Sequence, residues 1–349
     1  MARGPHAPSS RVGCGYARLR STWSYTGGVP TRIAISLGDP AGIGPEIVVQ
    51  ALAERTDADV VVFGDAGVLA RAAAIANVTA PPASRVRAVT TLRADEVVPG
   101  QPNDAAGRAQ AAYLAAATDA VLAGDAAALV TAPISKQWIA RAGFAFPGHT
   151  EYLADRAGVR EFAMMLAGPA LRVVVATTHV PLRDVPRLLT VDGIASTIRL
   201  TAEGLTRGFG IVAPRVAVAG LNPHAGEAGR FGDEEGRLVR PAIERARASL
   251  AAAGVTATVS GPHVPDSVFR QAAHGEFDAV VALYHDQGLI PLKLLHFDEG
   301  VNVTLGLPFV RTSPDHGTAY DIAGLGRARP QSFLAALDLA ARMLGRSPR

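Results

Sequence analysis

Three histidines stand just beyond three short apolar runs: His179 after 172–176, His224 after Arg215–Ala219, and His285 after 279–283. A neutral imidazole gives a lone pair to zinc and similar divalent ions, and three protein ligands leave room for a substrate oxygen. The spacing is long-range, so no local metal motif is present. A histidine at a strand end also serves as a cap or a packing group, and spacing alone leaves both readings open. Asp286 and Asp266 are candidate catalytic acids, as further ligands or as groups that orient an imidazole. Aspartates in such places also cap helices and turns.

Other polar groups follow the same kind of run. IAISL leads into GDPAGIGPE at 38–46, ALVTAPISK carries Lys136, and the next turn holds Gly148, His149, Thr150 and Glu151. The glycine-rich turn is neither a G-x-G-x-x-G fingerprint nor a P-loop. Pro45 and Glu46 suit the first turn of a helix. Lys293, Asn302 and Arg311 follow His285, and cations in a cleft suit an anionic substrate, with arginine able to grip carboxylate or phosphate at two points. Segment 315–324, DHGTAYDIAG, has small residues and a histidine that suit a flat wall for a nucleotide ring; a plain turn is the competing reading.

Positioning these groups falls to alternating elements. Runs 32–37, 59–63, Ala128–Thr131, 172–176, Arg215–Ala219 and 279–283 read as strands. Stretches 105–123, 191–207, 234–252 and 331–344 read as helices. The alternation predicts an α/β fold with a parallel sheet covered on both faces, ligands lying outside the carboxyl ends of the strands. Stretches 143–148 and 299–308 are candidate crossovers between domains.

The 349 residues, 48% hydrophobic and 19% charged, suffice for one large or two medium domains. No apolar run approaches about 18 residues, so no membrane span is expected. The net charge of +3 owes four charges to Arg3, Arg11, Arg18 and Arg20 in an acid-free start, leaving about −1 elsewhere. A nucleic-acid partner is therefore not expected. Residues 1–29 read as a disordered tail or a mis-assigned start, with a targeting segment as the competing reading. The single cysteine, Cys14, excludes an internal disulfide and cysteine catalysis, and fits a cytoplasmic protein.

The strings GDPAGIGPE, TAPISK, GHTE, TTHVPLRD, GLNPHAGE, YHDQGLIPLK and GVNVTLGLPFVRTSPDHGTAYDIAG together resemble the 4-hydroxythreonine-4-phosphate dehydrogenases of pyridoxal phosphate biosynthesis. The resemblance runs from about Thr31 to the C-terminal helix. It implies an isocitrate/isopropylmalate dehydrogenase-like fold, two α/β/α domains around a cleft. The first domain would be 30–147 plus 305–349; the second, 148–304, would carry the metal histidines. By resemblance the metal ligands are His179, His224 and His285, and the substrate-binding residues are His149, Thr150, Lys293, Asn302 and Arg311. Segment 315–324 resembles the superfamily's nucleotide loop, which assigns His316, Gly317, Thr318 and Asp321 to the cofactor. Lys293 is the candidate for proton transfer or carboxylate positioning.

The implied enzyme is a homodimer with a shared active site. It uses NAD, with NADP as alternative, and a divalent metal: zinc first, magnesium or cobalt otherwise. It would oxidise 4-phosphooxy-L-threonine to 2-amino-3-oxo-4-phosphooxybutanoate, which decarboxylates to 3-amino-2-oxopropyl phosphate. The alternative keeps this chemistry on 4-phospho-threonate or -erythronate, or on a cis-dihydrodiol carboxylate. Phosphoacyl transferases share the wider fold, but acyl transfer needs neither metal nor hydride carrier.

Overall fold

Short runs rich in valine, isoleucine and alanine become strands here because both of their faces are covered. A computed structural model describes residues 31–93 and 95–345; Arg3, Arg11, Cys14, Arg18 and Arg20 lie outside them. The strands are β1 (Ile33–Ser36), β2 (Val60–Gly64), β3 (Val86–Ala88), β4 (Ala128–Thr131), β5 (Ala163–Ala167), β6 (Arg172–Val175), β7 (Arg215–Ala219), β8 (Thr258–His263), β9 (Ala279–Ala282), β10 (Val301–Leu305) and β11 (Val310–Pro314). They form one sheet in the order β3-β2-β1-β4-β11-β10-β5-β6-β9-β7-β8.

The expected all-parallel sheet is corrected to a mixed one. β10 pairs antiparallel with both β11 and β5, and β5 pairs antiparallel with β6. The strands beyond these joints pair in parallel. Consequently β1 and β4 point one way, while β6, β9 and β7 point the other. Their carboxyl ends do not share one edge, and strand tips alone do not gather the motifs. The stretch 299–308 is itself strand β10 and the start of a hairpin into β11. Stretch 143–148 is an irregular link between helices Lys136–Arg141 and His149–Arg156, where Phe144, Phe146 and Tyr152 pack together.

Side chains alternate between two covered faces with a period of two. Ile33 and Ile35 of β1, Val174 of β6 and Val281 of β9 join one large cluster under the Gly44–Glu54, Val191–Phe209 and Gln331–Met343 helices. The opposite face is covered by two separate clusters. Ala34 and Leu129 pack with Leu114, Leu153 and Phe309. Val173, Val175 and Leu166 pack with Phe269, Leu289 and Leu292.

Between those two clusters the same face turns polar. Arg311 lies opposite Leu129, and Asn302 lies opposite both Ser313 and Leu166. Residues opposite one another share a face. Thr131 and Thr304, each two positions along its strand from Leu129 and Asn302, complete the strip. The fold thus leaves a polar gap on the sheet face across β4, β11 and β10, flanked by helices on both sides.

Candidate active site

On that strip the Arg311 side chain is buried, with the residue 3% exposed. Its Nη1 donates to Thr304 Oγ1 (3.1 Å) and its Nη2 to Thr131 Oγ1 (2.8 Å), while Nε has no partner. Buried charges are ordinarily paired. Here only hydroxyls accept, and burial pushes the guanidinium down to about 10, with Glu151 opposing. His149 Nε2 and Asn302 Oδ1 are also buried without partners. Burial, then Arg311, then Lys136 hold His149 well below its ordinary value, so its ring is neutral. The His149–Arg156 helix begins at Gly148 with no capping side chain, which leaves first-turn N–H groups for an anion. Thr150 stands half-buried in that turn. A buried cation lacking a carboxylate, unmet polar atoms and an open helix start form a receptor for a strongly anionic group.

Helices Lys136–Arg141 and His149–Arg156, which follow β4, reach across to the other half of the sheet. Their Lys136 and Glu151 act on His179 beyond β6: burial, Lys136 and His285 lower its pKa, and Glu151 raises it. The His179 and His285 rings lie 5.3 Å apart between centroids. Two imidazoles sharing one ion at about 2.1 Å from each nitrogen place their centroids roughly 5 Å apart, so the pair fits a divalent cation. His285 Nδ1 lies 2.6 Å from Asp286 Oδ1, which leaves Nε2 for the ion. This carboxylate–histidine pairing orients ligands at many metal sites. The pair lines a hollow of about 240 Å³ with Thr178, Leu182 and Tyr284. A larger groove of about 1040 Å³, lined by Leu200, Leu307, Phe309 and Met343, runs past Thr304 of the polar strip but contains none of the candidate metal, substrate or cofactor residues.

The third histidine does not join this pair within the chain. No group of three or more histidine, cysteine or acidic side chains suited to a metal occurs among the described residues. Of the three imidazoles, the structure brings His179 and His285 together and leaves His224 apart from them. His224 is exposed and opens a left-handed turn: His224, Ala225, Gly226, Glu227 and Ala228 all have φ between 41° and 79°. Left-handed helix costs L-residues roughly 1–2 kcal/mol each, so the run persists only where neighbours enforce it. Asp266 is exposed in the first turn of the Pro265–Ala273 helix. Lys293 forms an ion pair with Asp315 (2.9 Å), joining the His285–His296 helix to segment 315–324.

That segment packs on the glycine-rich turn at 38–46. Ile43 N donates to Thr318 O (2.9 Å), Gly324 N to Glu46 Oε1 (2.6 Å), and Tyr320 Oη to Asp39 Oδ2 (2.5 Å). Asp39 also accepts from Ala41 N and Gln110 Nε2, and Gln110 Oε1 accepts from Ser135 N. Burial raises the Asp39 pKa against these three hydrogen bonds. Gly38 has φ +72°, and a Cβ there would meet Pro133 O at 2.4 Å, so only glycine lets the turn approach the β4 loop. His316, Gly317 and Asp321 are exposed and Thr318 is half-buried, an outward rim backed by the Asp39–Tyr320 joint. The next helix starts only at Gln331. Sequence reading missed Asp39, Gln110, Thr131, Thr304 and Tyr320. The available signal was polar residues at buried positions, which demand partners.

The chain matches the family model described as pyridoxal phosphate biosynthetic protein PdxA over residues 56–340. It belongs to that family. A 4-hydroxythreonine-4-phosphate dehydrogenase from Desulfosudis oleivorans is 52% identical over 335 residues, covering 90% of this chain and 98% of the relative. The crystal structure of a Klebsiella pneumoniae 4-hydroxythreonine-4-phosphate dehydrogenase has a TM-score of 0.78 at 42% identity, covering 90% of this chain and 99% of that one. A terephthalate 1,2-cis-dihydrodiol dehydrogenase from Burkholderia xenovorans is similar at 33% identity and TM-score 0.65, covering 91% and 99%. This PdxA-family member is therefore an oxidoreductase of pyridoxal phosphate biosynthesis with an isocitrate/isopropylmalate dehydrogenase-like α/β fold. No helix among its described residues is long and apolar enough to cross a membrane.

Proposed function

We propose that the chain oxidises 4-phosphooxy-L-threonine at its C3 hydroxyl with NAD as hydride acceptor, giving a β-keto acid that loses carbon dioxide to leave 3-amino-2-oxopropyl phosphate. The observation that carries this reading is the buried Arg311 guanidinium with no carboxylate partner, beside the unmet His149 Nε2 and Asn302 Oδ1. Arg311, Lys136, Thr150 and the free N–H groups at His149 would hold the phosphate. A phosphate dianion answers this donor set better than a lone carboxylate, which favours a phosphorylated substrate over an aromatic dihydrodiol carboxylate.

Oxidation moves a hydride from C3 to the nicotinamide C4 and a proton from the hydroxyl to a base or water. A divalent cation held by His179 and His285 supplies Lewis acidity toward that hydroxyl when bound, zinc suiting the imidazole donors. Asp286 keeps the His285 ring turned with Nε2 toward the site. Lys293, an ammonium paired with Asp315, is suited to steer the substrate carboxylate and to return a proton to carbon after carbon dioxide leaves. His316, Gly317, Thr318 and Asp321 would border the nucleotide, and the Asp39–Tyr320 bond would keep that rim in place. The coenzyme supplies the redox chemistry and the protein supplies orientation.

We infer further that the working unit is a homodimer, with His224 of the partner subunit as third ligand. The His285–His296 helix and the residue after it present Ile290, Leu294, Leu295 and Phe297 to solvent, Leu294 83% and Phe297 75% exposed. Leu182, on the wall of the histidine hollow, is 68% exposed. An apolar face of this kind bordering a half-built metal site fits a second copy. The deciding experiment is a substrate panel followed by NADH absorbance, with and without a chelator. Chelator-sensitive turnover of 4-phosphooxy-L-threonine supports the reading. Turnover only of 4-phospho-threonate, 4-phospho-erythronate or a dihydrodiol carboxylate replaces the substrate, and chelator-resistant turnover removes the metal.

A further inference from the structure

Glu235 holds a position that neither the redox step nor substrate binding accounts for. It is 4% exposed and opens a π-helical turn, Glu235–Val239, ahead of the Arg240–Ala252 helix. The sequence pattern alone predicts one unbroken helix over 234–252. Such single π turns within helices frequently lie at functional sites. The Glu235 Oε1 accepts from Leu221 N and from Asn222 N, both at 2.8 Å, and Oε2 accepts from Asn222 Nδ2 at 3.1 Å. All three donors are neutral and come from the two residues just before Pro223 and His224. Burying a carboxylate costs free energy unless hydrogen bonds satisfy it, and these three charge-assisted bonds tie Glu235 firmly to residues 221 and 222.

The same carboxylate touches the left-handed turn further on. A Cβ at Gly226, where φ is +79°, would lie 2.6 Å from Glu235 Oε2. Glu235 therefore grips the chain before His224 and abuts it two residues after. His224 is exposed, so its own side chain does little to fix the turn. The left-handed run is closed by its own turn hydrogen bonds, such as Phe231 N to Gly226 O (3.2 Å), and Glu235 is the buried side chain that contacts it before His224 and after it.

We propose that Glu235 is a positioning residue for His224. Its carboxylate fixes residues 221–226 so that the left-handed turn aims the His224 imidazole out of its own subunit toward the cation site of a second copy. This rests on the reading of His224 as a metal ligand. Without the clamp the turn relaxes toward right-handed geometry and the ring points elsewhere.

The test titrates cobalt(II) into the metal-free full-length protein. Visible absorption reports the ligand set, and chelator competition reports affinity. Glu235→Asp keeps the charge but withdraws the oxygens by one methylene. It should weaken cobalt binding by about 10–100-fold and alter the absorption band, with far-UV circular dichroism unchanged. Glu235→Gln keeps the Oε1 acceptor, and should retain affinity within about threefold and hydrogen-exchange protection at the Leu221 and Asn222 amides. His224→Ala should lose the same band. Parental cobalt affinity in Glu235→Asp, with His224→Ala impaired, overturns the clamp alone. Parental affinity in His224→Ala overturns both the clamp and the ligand assignment. If Glu235→Asp does not fold, Glu235→Gln decides: lost cobalt binding with those amides still protected overturns the proposal.

Discussion

Replacing Arg311 with methionine should make the protein no less stable and nearly inactive. The guanidinium is buried on β11 against two threonine hydroxyls, and burial holds it down to about 10. At about 1.4 kcal/mol for each tenfold change in proton affinity, keeping this charge inside costs about 3 kcal/mol. Methionine removes that cost and fills much of the volume, but strands the hydroxyls of Thr131 and Thr304, at about 1 kcal/mol each. The net is about 1 kcal/mol of stabilisation, a rise in melting temperature of roughly 1–3 °C. The sign with pH is definite. A base whose folded pKa is depressed carries its penalty in full below about pH 10 and loses it only as pH rises through that value. Arg311→Met should therefore show its advantage at constant size from pH 6 to 9. Losing the charge-assisted grip on phosphate, worth about 3–4 kcal/mol, should raise KM or lower kcat/KM by roughly 10²–10³-fold. Differential scanning fluorimetry and NADH-coupled kinetics on the same preparation test both halves. A melting temperature lowered by 5 °C or more with kcat/KM intact would show that Arg311 is structural, and the anion-receptor argument would fail.

Further consequences can be checked alongside. His179→Ala and His285→Ala should each reduce bound divalent metal well below parental stoichiometry and cut kcat by at least 10²-fold, read by elemental analysis and steady-state kinetics. Tyr320→Phe removes one of three donors to the buried Asp39 carboxylate, which should cost about 1–2 kcal/mol and raise KM for the nicotinamide more than for the substrate. Because the folded Asp39 pKa is already raised, stability falls as pH climbs from the ordinary carboxylate range through that raised value. Tyr320→Phe should extend the fall to higher pH in urea titrations. Leu294→Arg on the exposed helix face should shift the protein to a monomer in analytical ultracentrifugation and abolish turnover while circular dichroism stays parental. A fully active monomer would remove the shared site.

The elements were legible where local chemistry decides them. Ala128–Thr131 and Arg215–Ala219 match strands β4 and β7 end for end, because a β-branched run between turn residues admits little else. Strand direction was not legible. Ala163–Ala167 reads AMMLA, without the β-branched residues that mark a strand, and Val301–Leu305 reads as part of a connection until β11 is seen to fold back on it. These two strands carry all three antiparallel pairings, so missing them made the sheet appear uniform and placed the site at strand tips. The consequence for function is physical. Reversing direction across β10 and β5 separates the carboxyl ends of β4 and β6. It also opens the face between two apolar clusters, where Thr131, Asn302, Thr304 and Arg311 lie side by side.

The same reversal accounts for why residue types were easier to identify than their assembly. His179 and His285 meet because β6 and β9 are parallel neighbours and leave the sheet together. β7 is the parallel neighbour of β9 on its other side, so strand order alone would bring His224 to the same place. The left-handed turn prevents this by carrying the chain through six consecutive positive-φ residues, 224–229, before the helix begins. No propensity predicts that conformation for His-Ala-Gly-Glu-Ala, and the buried Glu235 that contacts it lies eleven residues further along. A ligand that is a neighbour by topology but not by contact belongs either to no site or to a site made with another subunit. The exposed apolar face beside the histidine pair favours the second. Mixing His224→Ala and His285→Ala chains separates the two. Each is inactive alone, and a heterodimer with a shared centre restores one intact site of two. Regained activity approaching half the parental value is the expected result, and none regained in a verified heterodimer would return His224 to a role within its own subunit.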